Sequence, residues 1–273
     1  MSNMNSEAKT KSKVRLIIWA AIYFLLIISV CVSFIMVFHS YYYRSIFVSG
    51  SSMEPTLNGN VSDRVDYGVI DDHEYALKSL KRFQIVTTYY PFKDSHDYKS
   101  EFVKGGNNEL NPSEASYKIK RLYALPGETF KFYLDDEMVE KALLTQGTSA
   151  GYSEESQYYA RKAIKFAILN EKTGEFEEQK ITFKRKINIQ KFSEYKNFTY
   201  TLGEEEYWVM GDNYSASSDC FSKKAPVYYE NFVGVLIAIE GTCKIQGNIV
   251  EGEDGTKTSY RCVNRKRHLP TYY

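Results

Sequence analysis

A mostly β exterior domain with an inserted α+β subdomain, behind one N-terminal transmembrane helix, is the fold class the sequence predicts. Three observations lead there. An uncharged apolar run lies near the N-terminus, short segments rich in β-branched and aromatic residues recur after it, and residues 141–200 change pattern. Of the 273 residues, 43% are hydrophobic and 25% charged, a composition suited to a folded chain. The 24 tyrosines favour strands and surfaces that are apolar at one end and wet at the other.

The N-terminal segment comes first. Residues 1–15 carry Lys9, Lys11, Lys13 and Arg15 against Glu7, a local charge of +3 in a chain of net +1. The remainder is close to neutral, so there is no electrostatic footprint for nucleic acid. Leu16 to Phe38 reads LIIWAAIYFLLIISVCVSFIMVF. As a helix rising ~1.5 Å per residue it reaches roughly 35 Å, enough to cross a ~30 Å hydrocarbon core. The cations before it put residues 1–15 in the cytoplasm and residues 40–273 outside, with Tyr41–Tyr43 as an interfacial belt. A cleaved signal peptide would have an apolar core of only about 7–15 residues and a small-x-small site after it. "FHSYYYRS" offers no such site, so an uncleaved anchor in the cell membrane is expected.

Beyond the anchor, "SIFVSG", "RVDYGVI", "FQIVTTYY", "YKIKRLYA", "ETFKFYL", "YWVM" and "FVGVLIAIE" read as strands. They assign a catalytic β domain to 45–140 and 201–264. Within 141–200, Ala160, Ile164, Ala167 and Ile168 recur at helical spacing before "ITFKRKINI" returns to alternation, which marks an inserted subdomain. Segment 93–116 reads as a long surface loop. In the tail, residues 265–273, Arg265–His268 is basic and read as solvated, with contact to anionic lipid as the alternative. Cys31 falls in the span, and Cys243 and Cys262 flank a hairpin-like stretch and could pair. No C-x-x-C or H-E-x-x-H pattern occurs, so no metal or other cofactor is expected.

The chemistry starts from "SGSSMEPTL", Ser49 to Leu57. A serine hydroxyl needs a base to become a nucleophile. His39, His73, His96 and His268 lie respectively at the membrane boundary, among acids in a turn, in a polar loop and in the basic tail, none in a setting that suggests a triad. Lysine is the other option and must be desolvated, because at a pKa of ~10.4 only about 0.1% is neutral near pH 7.4. In "YKIKRLYALPGETF", Lys118 and Lys120 share one strand face, opposite Ile119 and Arg121. By pattern alone the two lysines are equal candidates.

Ser52-Met53-Glu54-Pro55-Thr56-Leu57, then Lys120-Arg121 and Leu125-Pro126-Gly127, then "GDNYSASSD" from Gly211, closely resemble the boxes of the type I signal peptidases, membrane-anchored Ser/Lys proteases of the S26 class. The resemblance covers roughly residues 15–140 and 201–240. It implies Ser52 as nucleophile and Lys120 as general base, with the Ser52 N–H helping to hold the oxyanion. Ser217 and Asp219 map onto the residues that support the lysine, Ser217 by hydrogen-bonding its amine. Gly211, Asp212 and Asn213 form the opening turn of that box. The implied partners are exported preproteins with signal peptides, membrane lipid and possible secretion machinery, with small side chains, typically Ala-x-Ala, before the cut. Val48, Met53, Leu57 and Ile119 match the apolar positions that would wall such pockets.

The chain departs from the family pattern at three places. Cys220 and Phe221 stand where an arginine often follows, Gly50 replaces a serine that completes the oxyanion hole in some members, and Phe83-Gln84 replaces a Gly-Asp pair. The Gly50 and Phe221 departures and the enlarged, Tyr-rich insertion keep a second reading in view, a signal-peptidase-like accessory in surface or pilus assembly that binds without cleaving. Retention of both Ser52 and Lys120 argues against it. A self-cleaving Ser/Lys repressor is disfavoured because the anchor stands in place of a DNA-binding module.

Overall fold

The computed structural model describes residues 2–59, 64–89, 117–146, 153–181, 187–188, 192, 194–213, 216–252 and 255–264. The expected loop at 93–116, with His96, and the basic tail at 265–273, with His268, lie outside the described residues.

The chain forms two units, Met1–Arg44 and Ser45–Tyr273. In the first, helix α1 spans Ser2–Tyr42. Its segment Lys13–Phe38 has a mean hydropathy of 2.8 and is long and apolar enough to cross a membrane. Large apolar side chains project from all sides of it, as a lipid-facing helix requires and a core helix with one buried stripe does not.

The second unit is mostly β. Its larger sheet contains β1 (Tyr43–Phe47), β2 (Arg64–Asp71), β3 (Ile85–Tyr89), β4 (Tyr117–Ala124), β9 (Glu206–Met210), β10 (Val227–Tyr228), β11 (Phe232–Gly252) and β12 (Gly255–Asn264). The strand order is β1-β2-β11-β3-β4-β9-β10, with β12 paired to β11. Strand β11 serves three neighbours in turn. It pairs with β3 from Phe232 to Val235, with β2 from Val235 to Lys244, and with β12 from Thr242 onward. Register shifts at Leu236/Ala238 and Ile239/Gly241 let it bend, since each extra residue increases the local twist. Cys243 is disulfide-bonded and stands opposite Cys262 in the ladder.

A smaller sheet, order β7-β6-β5-β8, is built from β5 (Thr129–Leu134), β6 (Ile164–Asn170), β7 (Glu175–Gln179) and β8 (Phe198–Thr201). Beginning at Thr129, it reaches further than the 141–200 stretch that stands out by composition. Two helices accompany it, α3 (Asp136–Leu144) and α4 (Glu154–Ala163). Asp135 and Ser153 cap them by accepting the Met138 and Ser156 N–H groups, the preferred chemistry at a helix start.

The helical spacing read across residues 160–168 is corrected here. Only Ala160 lies on a helix; Ile164, Ala167 and Ile168 belong to β6. Buried Ile164, Phe166 and Ile168 follow a period of two, which overlaps the helical period over so short an apolar run.

An aromatic core joins the sheets. Phe130, Phe132, Phe166, Tyr195, Trp208 and Phe221 are buried in it, and Phe221 stacks on Tyr195 at 4.5 Å and meets Phe132 edge-on at 5.2 Å. Short helix α5 (Cys220–Lys223) places Phe221 there. The residue standing where related chains often carry arginine is thus an apolar anchor for the smaller sheet. A second cluster of Val48, Met53, Leu57, Ile70, Ile85, Val233, Leu236 and Ile239 fills the space beneath the β1–β2 connection.

Candidate active site

Ser52 sits in the turn between β1 and β2. Glu54 N–H donates to Ser51 O at 3.1 Å and Leu57 N–H to Met53 O at 3.0 Å, closing the turn. The third sequence box then grips it. Asn213 N–H donates to Ser52 O at 2.8 Å, and the Asn213 amide donates to Ser51 O at 2.9 Å. The Thr56 hydroxyl donates to Asp212. Ser52 N–H makes no hydrogen bond among the described residues, so it is open to an incoming oxyanion.

Lys120 comes from β4, held in register by Val86↔Lys120 on β3. Its Nζ donates to Ser52 Oγ at 2.9 Å and to Ile119 O at 3.1 Å, and the residue is only 3% exposed. Burial drives its pKa from 10.5 down to about 8. The Asp219 and Asp212 carboxylates oppose that shift, and the Lys118 ammonium adds to it. Lys118, the other candidate, is only half-buried. Burial therefore separates two lysines that strand alternation made equivalent.

Next to Lys120, Arg121 is wholly buried and satisfied. Its Nε and Nη2 donate to the two Asp212 oxygens at 2.7 Å each, and Nη1 donates to Phe83 O at 2.9 Å. This bidentate pair ties β4 to the turn after β9, and through Thr56 to the Ser52 turn. Sequence reasoning placed Arg121 opposite the lysines but missed its partner. The available signal was that a cation facing a core needs a buried carboxylate.

Asp219 is buried and caps α5, accepting from Gly211 N–H at 2.8 Å, Phe221 N–H at 3.1 Å and Ser222 N–H at 3.2 Å. Burial raises its pKa, while these bonds and the neighbouring Ser217 and Lys120 pull the other way. Ser217 lies buried beside Gly211 and close enough to Asp219 to lower its pKa, though its hydroxyl makes no bond of ordinary geometry among the described residues. The expected Ser217–Lys120 bond is not formed here. Gly211 has no room for a side chain, because a Cβ there would come within 2.5 Å of Ser52 O and 2.8 Å of Ser217 Cβ.

A cleft of about 680 Å³ opens on the pair, lined by Ile46, Phe47, Ser49, Gly50, Thr87 and Ile119, among others, together with Ser52, Lys118 and Lys120. Of the expected pocket residues, Ile119 lines it. Val48, Met53 and Leu57 instead lie in the apolar cluster beneath, each at most 2% exposed, because the turn directs them inward. Gly50 adopts φ +80°, a left-handed conformation that a glycine accepts without strain. His73 is the N-cap of α2 (Glu74–Lys78), its Nδ1 accepting from Tyr75 N–H at 3.0 Å. Among the described residues, no group of three or more His, Cys, Asp or Glu side chains is placed to hold a metal ion.

A mostly β domain behind one long apolar N-terminal helix is consistent with a peptidase of the S26 class. The family model described as signal peptidase, peptidase S26, matches residues 16–239, and the chain belongs to that family, the type I signal peptidases. No curated protein matches the chain significantly.

Proposed function

We propose that this signal peptidase is a membrane-anchored Ser/Lys endopeptidase that cuts signal peptides from exported preproteins, with Ser52 as nucleophile and Lys120 as general base. The observation that carries this reading is the 2.9 Å approach of a buried, pKa-lowered amine to the Ser52 hydroxyl. At a pKa of about 8, roughly a fifth of the lysine is neutral near pH 7.4, against about 0.1% for a free side chain. The neutral amine takes the hydroxyl proton as Ser52 Oγ adds to the scissile carbonyl. The resulting ammonium then protonates the departing amine, leaving an acyl-enzyme. Lys120, neutral again, draws a proton from water in deacylation. Ser52 N–H supplies one oxyanion donor. Asp219 orders the third box by accepting from Gly211, and Gly50 leaves the cleft floor open without adding a second donor.

The anchor in this reading is Leu16–Phe38, with the preceding cations holding the N-terminus inside and Ser45 onward outside. Ser52 follows the span by fourteen residues, so the cut falls on substrates presented at the outer membrane face. Exported preproteins and lipid are the partners this implies.

The test incubates the purified full chain with a labelled preprotein and locates the cut by mass spectrometry. The parent should cleave once, after a small residue, and Ser52→Ala and Lys120→Ala should not cleave. Lys120→Arg should be nearly as inactive, since guanidinium keeps its proton. Parental rates in either alanine variant, or binding of preprotein without cleavage by the parent, would contradict the reading.

A further inference from the structure

The smaller sheet and its helices hold a cleft that the peptidase reading does not use. It has a volume of about 420 Å³ and lies between the end of α4, the start of β6 and the end of β7. It shares no lining residue with the cleft at Ser52. Four cations line it, Arg161, Lys162, Lys165 and Lys180, against one acid, Glu178, a net charge of +3. Arg161 and Lys162 have a local cause, since they stand in the last turn of α4, where the helix dipole favours cations. Lys165 and Lys180 do not share that cause. They arrive from the sheet, Lys165 on β6 and Lys180 directly after the last residue of β7. Gathering like charges from three elements costs stability by mutual repulsion.

Glu178 does not neutralise the group. Its carboxylate accepts from Lys165 Nζ at 3.1 Å and from the Tyr133 hydroxyl at 3.2 Å, so its charge is spent on Lys165. Lys162 Nζ lies 4.5 Å from the centre of the Tyr158 ring, a contact that holds the ammonium without cancelling its charge. Arg161 and Lys180 make no ion pair or hydrogen bond among the described residues. Arg161 is half-buried all the same. An anion in the cleft would stabilise that placement.

We propose that this cleft binds a phosphate monoester, with Arg161 clasping two of its oxygens and Lys162 and Lys180 supplying charge. The site is independent of Ser52 and Lys120. A planar guanidinium takes two phosphate oxygens at once, while lysines act as point charges. A monoester carries about −1.5 to −2 charge near pH 7 and three acceptor oxygens. That matches three uncompensated cations better than the single charge of a carboxylate. The end of α4 contributes roughly half a negative charge, too little to reverse the attraction. Tyr158, Ile164 and Ile181 form an apolar flank. The volume leaves room beside the phosphate for a glycerol-sized or larger substituent. Such a group is found on soluble metabolites and on the headgroup of phosphatidic acid.

The experiment titrates the full chain, in neutral detergent, with glycerol 3-phosphate in a calorimeter. Saturable binding with a Kd of about 1 mM or tighter is expected. Arg161→Gln and Lys180→Gln should each weaken it about tenfold, the size of one lost charge-assisted bond. Arg161→Lys, which keeps the charge and loses the fork, should weaken it as well. Lys196→Gln removes an exposed lysine outside the cleft and should leave the affinity unchanged. Acetate at the same ionic strength should bind at least about tenfold more weakly. No saturable binding by the parent, parental affinity in both Arg161 variants, or acetate binding as tightly as the phosphate would overturn the proposal. A second arm repeats the titration in phosphatidylcholine nanodiscs with and without phosphatidic acid, at about 150 mM salt to screen the disc surface. Loss of glycerol 3-phosphate binding in the phosphatidic acid discs alone assigns the site to a lipid headgroup. Retention in both assigns it to a soluble phosphate.

Discussion

Arg121 and Asp212 face each other through two 2.7 Å hydrogen bonds, with both side chains almost wholly removed from solvent. The pair links the strand that carries Lys120 to the turn that grips Ser52. Removing one partner strands the other charge in the core, which costs about 3–5 kcal/mol. Asp212→Ala and Arg121→Ala should each lower stability by that amount in urea unfolding of the full chain. A loss below about 1 kcal/mol in both would show that the pair holds nothing together.

Gly211 lies where the Ser52 carbonyl and the Ser217 side chain converge. An added methyl must push the Ser52 turn away from Lys120. Displacing a nucleophile by about 1 Å costs roughly 100-fold, so Gly211→Ala should lose about that factor in kcat while its far-UV circular dichroism stays native. Retained kcat would mean that the turn relaxes elsewhere.

Phe83 replaces a glycine of the family pattern and keeps the conformation that glycine favours, at φ +67°. Its ring meets Tyr123 edge-on at 5.8 Å, and its carbonyl accepts from Arg121. The aromatic contact offsets a backbone strain of about 1 kcal/mol. Both Phe83→Ala and Phe83→Gly should destabilise by loss of the ring. Against the usual order, the glycine variant should be the more stable of the two by about 1 kcal/mol. The reverse order in paired denaturation curves would refute the strain.

Lys120 also sets a pH dependence of stability. Its pKa is about 8 in the folded chain against an ordinary 10.5. Below pH 8 both states are protonated, and the native state bears the cost of a buried cation. Between 8 and 10.5 the unfolded chain binds more protons, so stability rises with pH. The total is about 3 kcal/mol, at roughly 1.4 per pKa unit. The difference in unfolding free energy between the parent and Lys120→Met should therefore change by about that amount from pH 7 to 10.5, in the parent's favour. A constant difference would place the amine in solvent.

The strands and the family boxes were legible because their signals are local. Alternating β-branched and aromatic residues show in "RVDYGVI" and "FQIVTTYY", and the boxes are contiguous. What pattern could not rank was Lys118 against Lys120, since alternation assigns a face and not a depth. Depth comes from partners distant in sequence, the Ser52 turn and the third box. The same limit hid the Arg121–Asp212 pair and left Val48, Met53 and Leu57 read as pocket walls when they are core. Apolar residues beside a nucleophile look alike in sequence whether they face the substrate or the interior. The misassigned run from Ala160 to Ile168 failed for a different reason: a helix ends and a strand begins at Ile164, with no glycine or proline to mark the junction.

Cleavage by a Ser52/Lys120 pair turns on the protonation of one amine. Titration of the Lys120 side chain by carbon-13 NMR, in full-length protein labelled at lysine Cε and assigned against Lys120→Met, reads it without reference to substrate. The predicted result is a midpoint near 8, matched by the rising limb of kcat/KM for precursor cleavage. A midpoint above about 10, the range of a free lysine, would contradict the central claim.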